Sequence, residues 1–241
     1  MTNIVEFNET YYRKLIKKIS NHYKFEVYSR VGCEHPHVLW RHDIDMSPHR
    51  AAKLAEIEMQ ENVISTYFLH LHSAFYNLFD ESVAQKIYRI IECGHPIGLH
   101  YDLEFYRKLP QHTNQIDLIS FEKSFLWDVF GVKPMAISFH NPSLSVLEIP
   151  SVDKIVGMIN ADSDYIRGFY KFFSDSNCEW KYGNPEDFIG DCKYLHVLTH
   201  PEWWTLILQT HGEKVRRCVS GRYEYSFKYY NNIIEQVKRH E

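Results

Sequence analysis

Asp43 and Asp45 close the run Val38-Leu39-Trp40-Arg41-His42-Asp43-Ile44-Asp45, a short apolar segment that ends in two carboxylates. Residues two apart on a strand share a face, so one carboxylate can take a proton while its neighbour holds a cation. Charges at the end of a buried strand cost free energy unless a ligand or metal pairs with them. The same design recurs: 65–69 ends in His70 and His72, 97–99 in His100-Tyr101-Asp102, 135–139 in His140-Asn141-Pro142, and 195–199 in His200-Pro201. Imidazole and carboxylate donors gathered in this way point to an enzyme, and to a metal-dependent one.

The elements that must position these groups alternate. Strands are expected at 37–42, 65–70, 96–100 and 134–139, with fainter ones at 155–159, 169–173 and 194–199. Ser47-Pro48 is a cap and first-turn pair, and it opens a helix that runs to Glu61. Further helices are expected at 80–93, 113–130, 203–218 and 223–238, and residues 8–22 form an additional N-terminal amphipathic helix. Strands alternating with helices imply parallel βαβ units. Polar groups at the C-terminal strand ends describe the active face of a β/α barrel. No linker, low-complexity tract or repeat interrupts residues 1–241, which favours a single domain.

A net charge of -4 argues against a general nucleic-acid partner. Five scattered cysteines without a C-x-x-C pair fit reduced thiols, and no signal peptide or membrane-length apolar run is visible. The expectation is a cytoplasmic protein without stable membrane insertion.

From Leu39 to Trp204 the chain resembles a divergent member of the polysaccharide deacetylase superfamily, the chitooligosaccharide-deacetylase homology domain. The resemblance implies an irregular seven-stranded (β/α) barrel in the α/β class. It also implies a divalent metal, often zinc, and removal of acetyl groups from glycans. Arg41-His42-Asp43-Ile44-Asp45 stands at the first site of the family, which makes Asp43 the base and Asp45 a metal ligand. Gly94-His95-Pro96-Ile97-Gly98-Leu99-His100 stands at the second, with His100 a ligand; Glu104, with Asp102 nearby, holds the place of a second histidine. At the third site the family has an arginine that braces the base, and Ser138-Phe139-His140-Asn141-Pro142 is found instead. His140 either takes that place or supplies the missing ligand. Ser174-Asp175-Ser176 with Trp180 resembles the fourth site, and His200-Pro201-Glu202-Trp203-Trp204 the fifth, whose histidine is the general acid. Asp175 then joins Asp43 and His200 as a catalytic residue. His35, His37, His70 and His72 are read as surface or supporting groups, and Trp203-Trp204 as core or sugar platform.

The implied reaction is removal of an acetyl group, most simply N-acetyl, from a carbohydrate or sugar precursor. For a cytoplasmic enzyme the substrate would be a nucleotide-sugar or lipid-linked glycan used in surface-glycan biosynthesis. Two other readings stand beside it: a catalytically inactive glycan-binding protein on the same fold, and another metal-dependent amidohydrolase or esterase. His42-Asp43 also matches the H-D pair of metal-dependent phosphohydrolases, but those are all-helical and this pair ends a strand.

Overall fold

The computed structural model describes residues 7–108, 114–141 and 150–239. Helix α1 (Glu9–Ser20) is capped by Asn8, whose side chain accepts from the Tyr11 N–H at 2.8 Å. It buries Tyr12, Leu15, Ile16 and Ile19, the i, i+3, i+4, i+7 face of an amphipathic helix. Strand β1 (Lys24–Glu26) follows, then β2 (His37–Ile44), buried along its whole length. The chain continues as α2 (Pro48–Gln60), β3 (Thr66–His70), α3 (Glu81–Glu92), β4 (Ile97–Tyr101), α4 (Leu103–Arg107), α5 (Gln115–Phe130) and β5 (Ala136–Phe139). After the hairpin β6 (Lys154–Ile155) and β7 (Met158–Asn160) come α6 (Asp164–Phe169), β8 (Lys171–Ser174), β9 (Tyr194–Thr199) and α7 (His211–Lys238).

The strand order is β6-β7-β5-β4-β3-β2-β9-β8, with every pairing parallel except β6 with β7. Setting aside β6 and the short β1, which pairs with the first half of β2, seven parallel strands remain. They curl into an irregular half-barrel. Arg41 on β2 contacts Asp162, just past β7, at 3.2 Å. In a flat sheet those strands, four places apart, would be separated by roughly 19 Å.

Alternation along β2 sorts its side chains between two environments. Leu39, Arg41 and Asp43 face the barrel interior, where Leu39 meets Phe68, Ala136 and Tyr28. Val38, Trp40 and His42 face outward against α1 and α2. His42 and Asp43 therefore lie on opposite faces of one strand and cannot act as an H-D pair on one metal.

Several elements differ from the sequence expectation. The run 155–159 is a hairpin, because Val156 and Gly157 both take positive φ (50° and 75°), the backbone of a two-residue turn. Phe169 ends α6, so the next strand starts at Lys171. The segments 203–218 and 223–238 are not two helices. Pro201–Trp203 is a single 3-10 turn, and α7 begins after a reciprocal cap between Thr210 and Glu213, then runs unbroken through Gly221. Strand β1 and helices α4 and α6, each six residues or fewer, are too short to show a periodic pattern.

Candidate metal centre and active site

Parallel strands deliver their C-terminal ends to one face, and the site is built from six of them. Asp43 lies near the end of β2 and Asp45 just beyond it; His70 ends β3 and His100 sits near the end of β4. His140, Asp175 and His200 follow directly after β5, β8 and β9. Register does the alignment, since His70 is paired with His100, and His100 with Ser138.

Asp45 Oδ1 lies 3.2 Å from His100 Nε2 and 3.4 Å from His140 Nδ1, and those two nitrogens are 3.3 Å apart. Donors around a tetrahedral ion with bonds of about 2.0–2.1 Å are separated by about 3.3 Å, so the spacing fits. Asp45, His70 and His140 also bring donor atoms within 4.8 Å of one another. The histidines are fixed from behind. His100 Nδ1 meets the Ser138 hydroxyl at 2.7 Å, and His70 Nε2 meets Asp102 at 3.2 Å. Among the described residues, the buried Nδ1 of His70 has no hydrogen-bond partner. A carboxylate behind a histidine whose other nitrogen is open is the usual support of a metal ligand. Three imidazoles and a carboxylate suit zinc and its first-row neighbours. The residues present fit a divalent ion.

Two acid–base groups flank this cluster. On one side Asp43 Oδ2 lies 3.7 Å from His100 Nε2 and accepts from Arg41 at 3.0 Å. Arg41, buried between Asp43 and Asp162, is an arginine paired with Asp43, where the Ser138-Phe139-His140 segment has none. On the other side His200 Nε2 lies 3.8 Å from Asp45 Oδ2, and its Nδ1 meets Asp175 at 2.7 Å. Asp175 is fully buried and also accepts from the His200 backbone N–H at 2.9 Å and from Trp204 Nε1 at 2.8 Å.

The electrostatics follow from these contacts. Burial works to raise the pKa of Asp45, but hydrogen bonds to His100 and His140, with the charges of His100 and His200, hold it well below the usual range. For His200 burial alone would favour the neutral ring. The bond and charge of Asp175, helped by Asp45 and Glu202, raise it to about 10, so the ring carries a proton at neutral pH. Burial lowers the pKa of His70, against the pull of Asp102, and so favours the neutral ring that metal binding requires. Glu202 is pushed up to about 8 by burial and by Asp45.

Asp43, Asp45, His100, His140, Asp175 and His200 are thus brought together. Glu104 is not in the cluster: it lies on α4 with Oε1 accepting from Arg107 at 2.8 Å. Asp102 is a support behind His70 rather than a donor in the converging set. His70, read from the sequence as a surface or supporting group, is buried and faces the cluster; its position at a strand end, like that of the other histidines, was the available signal. His37, with the same two readings, is buried against Tyr170. Trp204 is fully buried and packs with Phe7, Tyr12 and Trp180, so it is core rather than a sugar platform.

No family model matches the sequence, and no curated protein matches it. Similar solved structures include a chitin deacetylase from Colletotrichum lindemuthianum, 17% identical over 78% of this chain and 84% of that one, with a TM-score of 0.43. A family 4 carbohydrate esterase from Streptomyces lividans is 13% identical over 78% and 88%, TM-score 0.39. A peptidoglycan deacetylase from Bdellovibrio bacteriovorus is 13% identical over 88% of this chain and 53% of that one, TM-score 0.43.

Proposed function

We propose that the chain is a metal-dependent hydrolase that removes an acetyl group, N-acetyl in the simplest case, from a carbohydrate or sugar precursor. The observation that carries this reading is one cluster, Asp45 with His70, His100 and His140, flanked by a braced carboxylate and by a protonated histidine. A divalent ion held by those four residues, of the zinc type, would polarise the acetyl carbonyl and acidify a water.

The residues of the chain divide the remaining work. Asp43 takes the proton of the attacking water, and Arg41 holds that carboxylate in place. His200 gives its proton to the leaving amine, and Asp175 fixes the ring and keeps it charged until then. Water and amide are consumed, and acetate and a free amine are formed. We further propose that the substrate is a nucleotide- or lipid-linked acetamido sugar used in surface-glycan assembly. Among the described residues, no helix is long and apolar enough to cross a membrane.

Acetate release from N-acetylated oligosaccharides, nucleotide-linked sugars and lipid-linked sugars tests the reading. Activity lost to a chelator and restored by added zinc or cobalt is expected; no release from any class under any ion would overturn it. Within that assay, Asp175→Asn is expected to lower kcat by about 10²–10⁴-fold with KM little changed. An equal fall in folded fraction would mark Asp175 as structural only.

A further inference from the structure

Only the first part of α7 is seated on the body of the protein. Lys214 is buried with Nζ donating to the Phe7 carbonyl at 3.0 Å, Arg217 reaches the Glu202 carbonyl at 3.2 Å, and Arg222 reaches that of Ala74 at 3.0 Å. Beyond Arg222 every described residue of the helix is exposed except Ile234, which is half-buried. Gly221 marks the change, and a Cβ added there meets nothing within 4 Å. A glycine inside a helix costs about 1 kcal/mol relative to alanine, and most helical stability comes from packing an apolar face. Something else must hold the ~25 Å of helix from 222 to 238.

That stretch is not a solvated polar helix. Tyr223, Phe227, Tyr230 and Val237 are 66%, 56%, 60% and 50% exposed, with Ile234 half-buried between them. Their spacing of four, three, four and three is the a/d repeat of a coiled-coil seam. The Tyr223 and Phe227 rings lie nearly parallel along it, 6.0 Å apart.

We propose that this seam pairs with the same seam of a second copy of the chain, antiparallel about a two-fold axis. Setting Tyr230 against Ile234 of the second copy places Phe227 against Val237 of that copy. The flanking positions then set Glu224 of each chain beside Lys238 of the other, so that both unlike charges meet. A parallel, in-register pair would instead oppose Ser226 with Asn231 and Ile233 with Lys238, and forms no ion pair. Charge complementarity therefore selects the antiparallel arrangement, and its symmetry is that of the commonest homo-oligomer.

Light scattering on the full chain at tens of micromolar is expected to give twice the chain mass. Tyr230→Glu combined with Ile234→Glu is expected to give a monomer that keeps its metal content and its acetyl release, neither residue touching the site. Glu224→Lys and Lys238→Glu are each expected to weaken association by about threefold to tenfold, and the double swap to recover it. A wild-type monomer, a dimer indifferent to the Tyr230/Ile234 variant, or a monomer that instead sediments with phosphatidylglycerol vesicles would overturn the proposal.

Discussion

Asp43→Asn is expected to lower kcat for acetyl release by about 10²–10⁴-fold, the usual contribution of a positioned general base, while the divalent ion stays bound. Asn matches Asp in size, so the barrel interior is not emptied. Arg41 loses one of its two carboxylates but keeps Asp162 at 3.2 Å. Steady-state kinetics together with elemental analysis of the same sample separate the two roles. Loss of the ion with activity would exchange the assignments of Asp43 and Asp45. Retained activity would move the base elsewhere, with Glu202 the first residue to examine, since its carboxyl is buried next to Asp45 and His200.

The second large effect lies on the outward face of the same strand. Glu58 of α2 is fully buried and accepts from the Tyr12 hydroxyl, from Ser65 at 2.9 Å, from Tyr67 at 2.7 Å and from His42 at 2.7 Å. His42 also meets Thr199 at 2.7 Å, so α1, α2, β2, β3 and β9 are joined through one carboxylate. Removing one member of a buried pair leaves its partner uncompensated, and Glu58→Ala is expected to cost about 3–5 kcal/mol of unfolding free energy. Denaturant midpoints measure it, and a loss under about 1 kcal/mol would show that water or rearrangement replaces the carboxylate.

Glu58 also sets a pH dependence. Burial alone would raise its pKa; the charge and bond of His42, with His95 and Tyr12, bring it from 4.5 to about 2. A carboxyl whose pKa is depressed on folding stabilises fully above its unfolded value and loses that contribution as pH falls towards its folded value. Wild type should therefore lose stability between roughly pH 4.5 and 2 by more than Glu58→Gln, which has no proton to take up there. Parallel acid profiles of the two proteins would contradict this.

Much of the site was legible because it follows from strand ends. Each apolar run closing in His or Asp gave both an element and a side chain at one face of the sheet, and Asp43, Asp45, His100, His140, Asp175 and His200 all converge. Arg41 and His70 were missed for different reasons. Arg41 lies two residues before Asp43 on the same strand face, a relation the D-x-D pair itself uses, but a family pattern placed the brace on another strand. His70 is not legible in this way, because a second histidine is expected after β4, in sequence order, whereas sheet register sets His70 of β3 beside His100. Glu104 had the right spacing in sequence, but α4 turns it towards Arg107. The second half of α7 was legible as a helix; that its side chains stay exposed among the described residues is a tertiary fact.

Metal content of purified wild type and of Asp45→Ala, measured side by side by elemental mass spectrometry, tests the central claim most directly. The cluster calls for one divalent ion per chain in the wild type and almost none in the variant, because Asp45 Oδ1 is the atom on which His100 and His140 converge. A wild type that stays metal-free after incubation with zinc, cobalt or nickel, or a variant that holds the ion as well as the wild type, would contradict it.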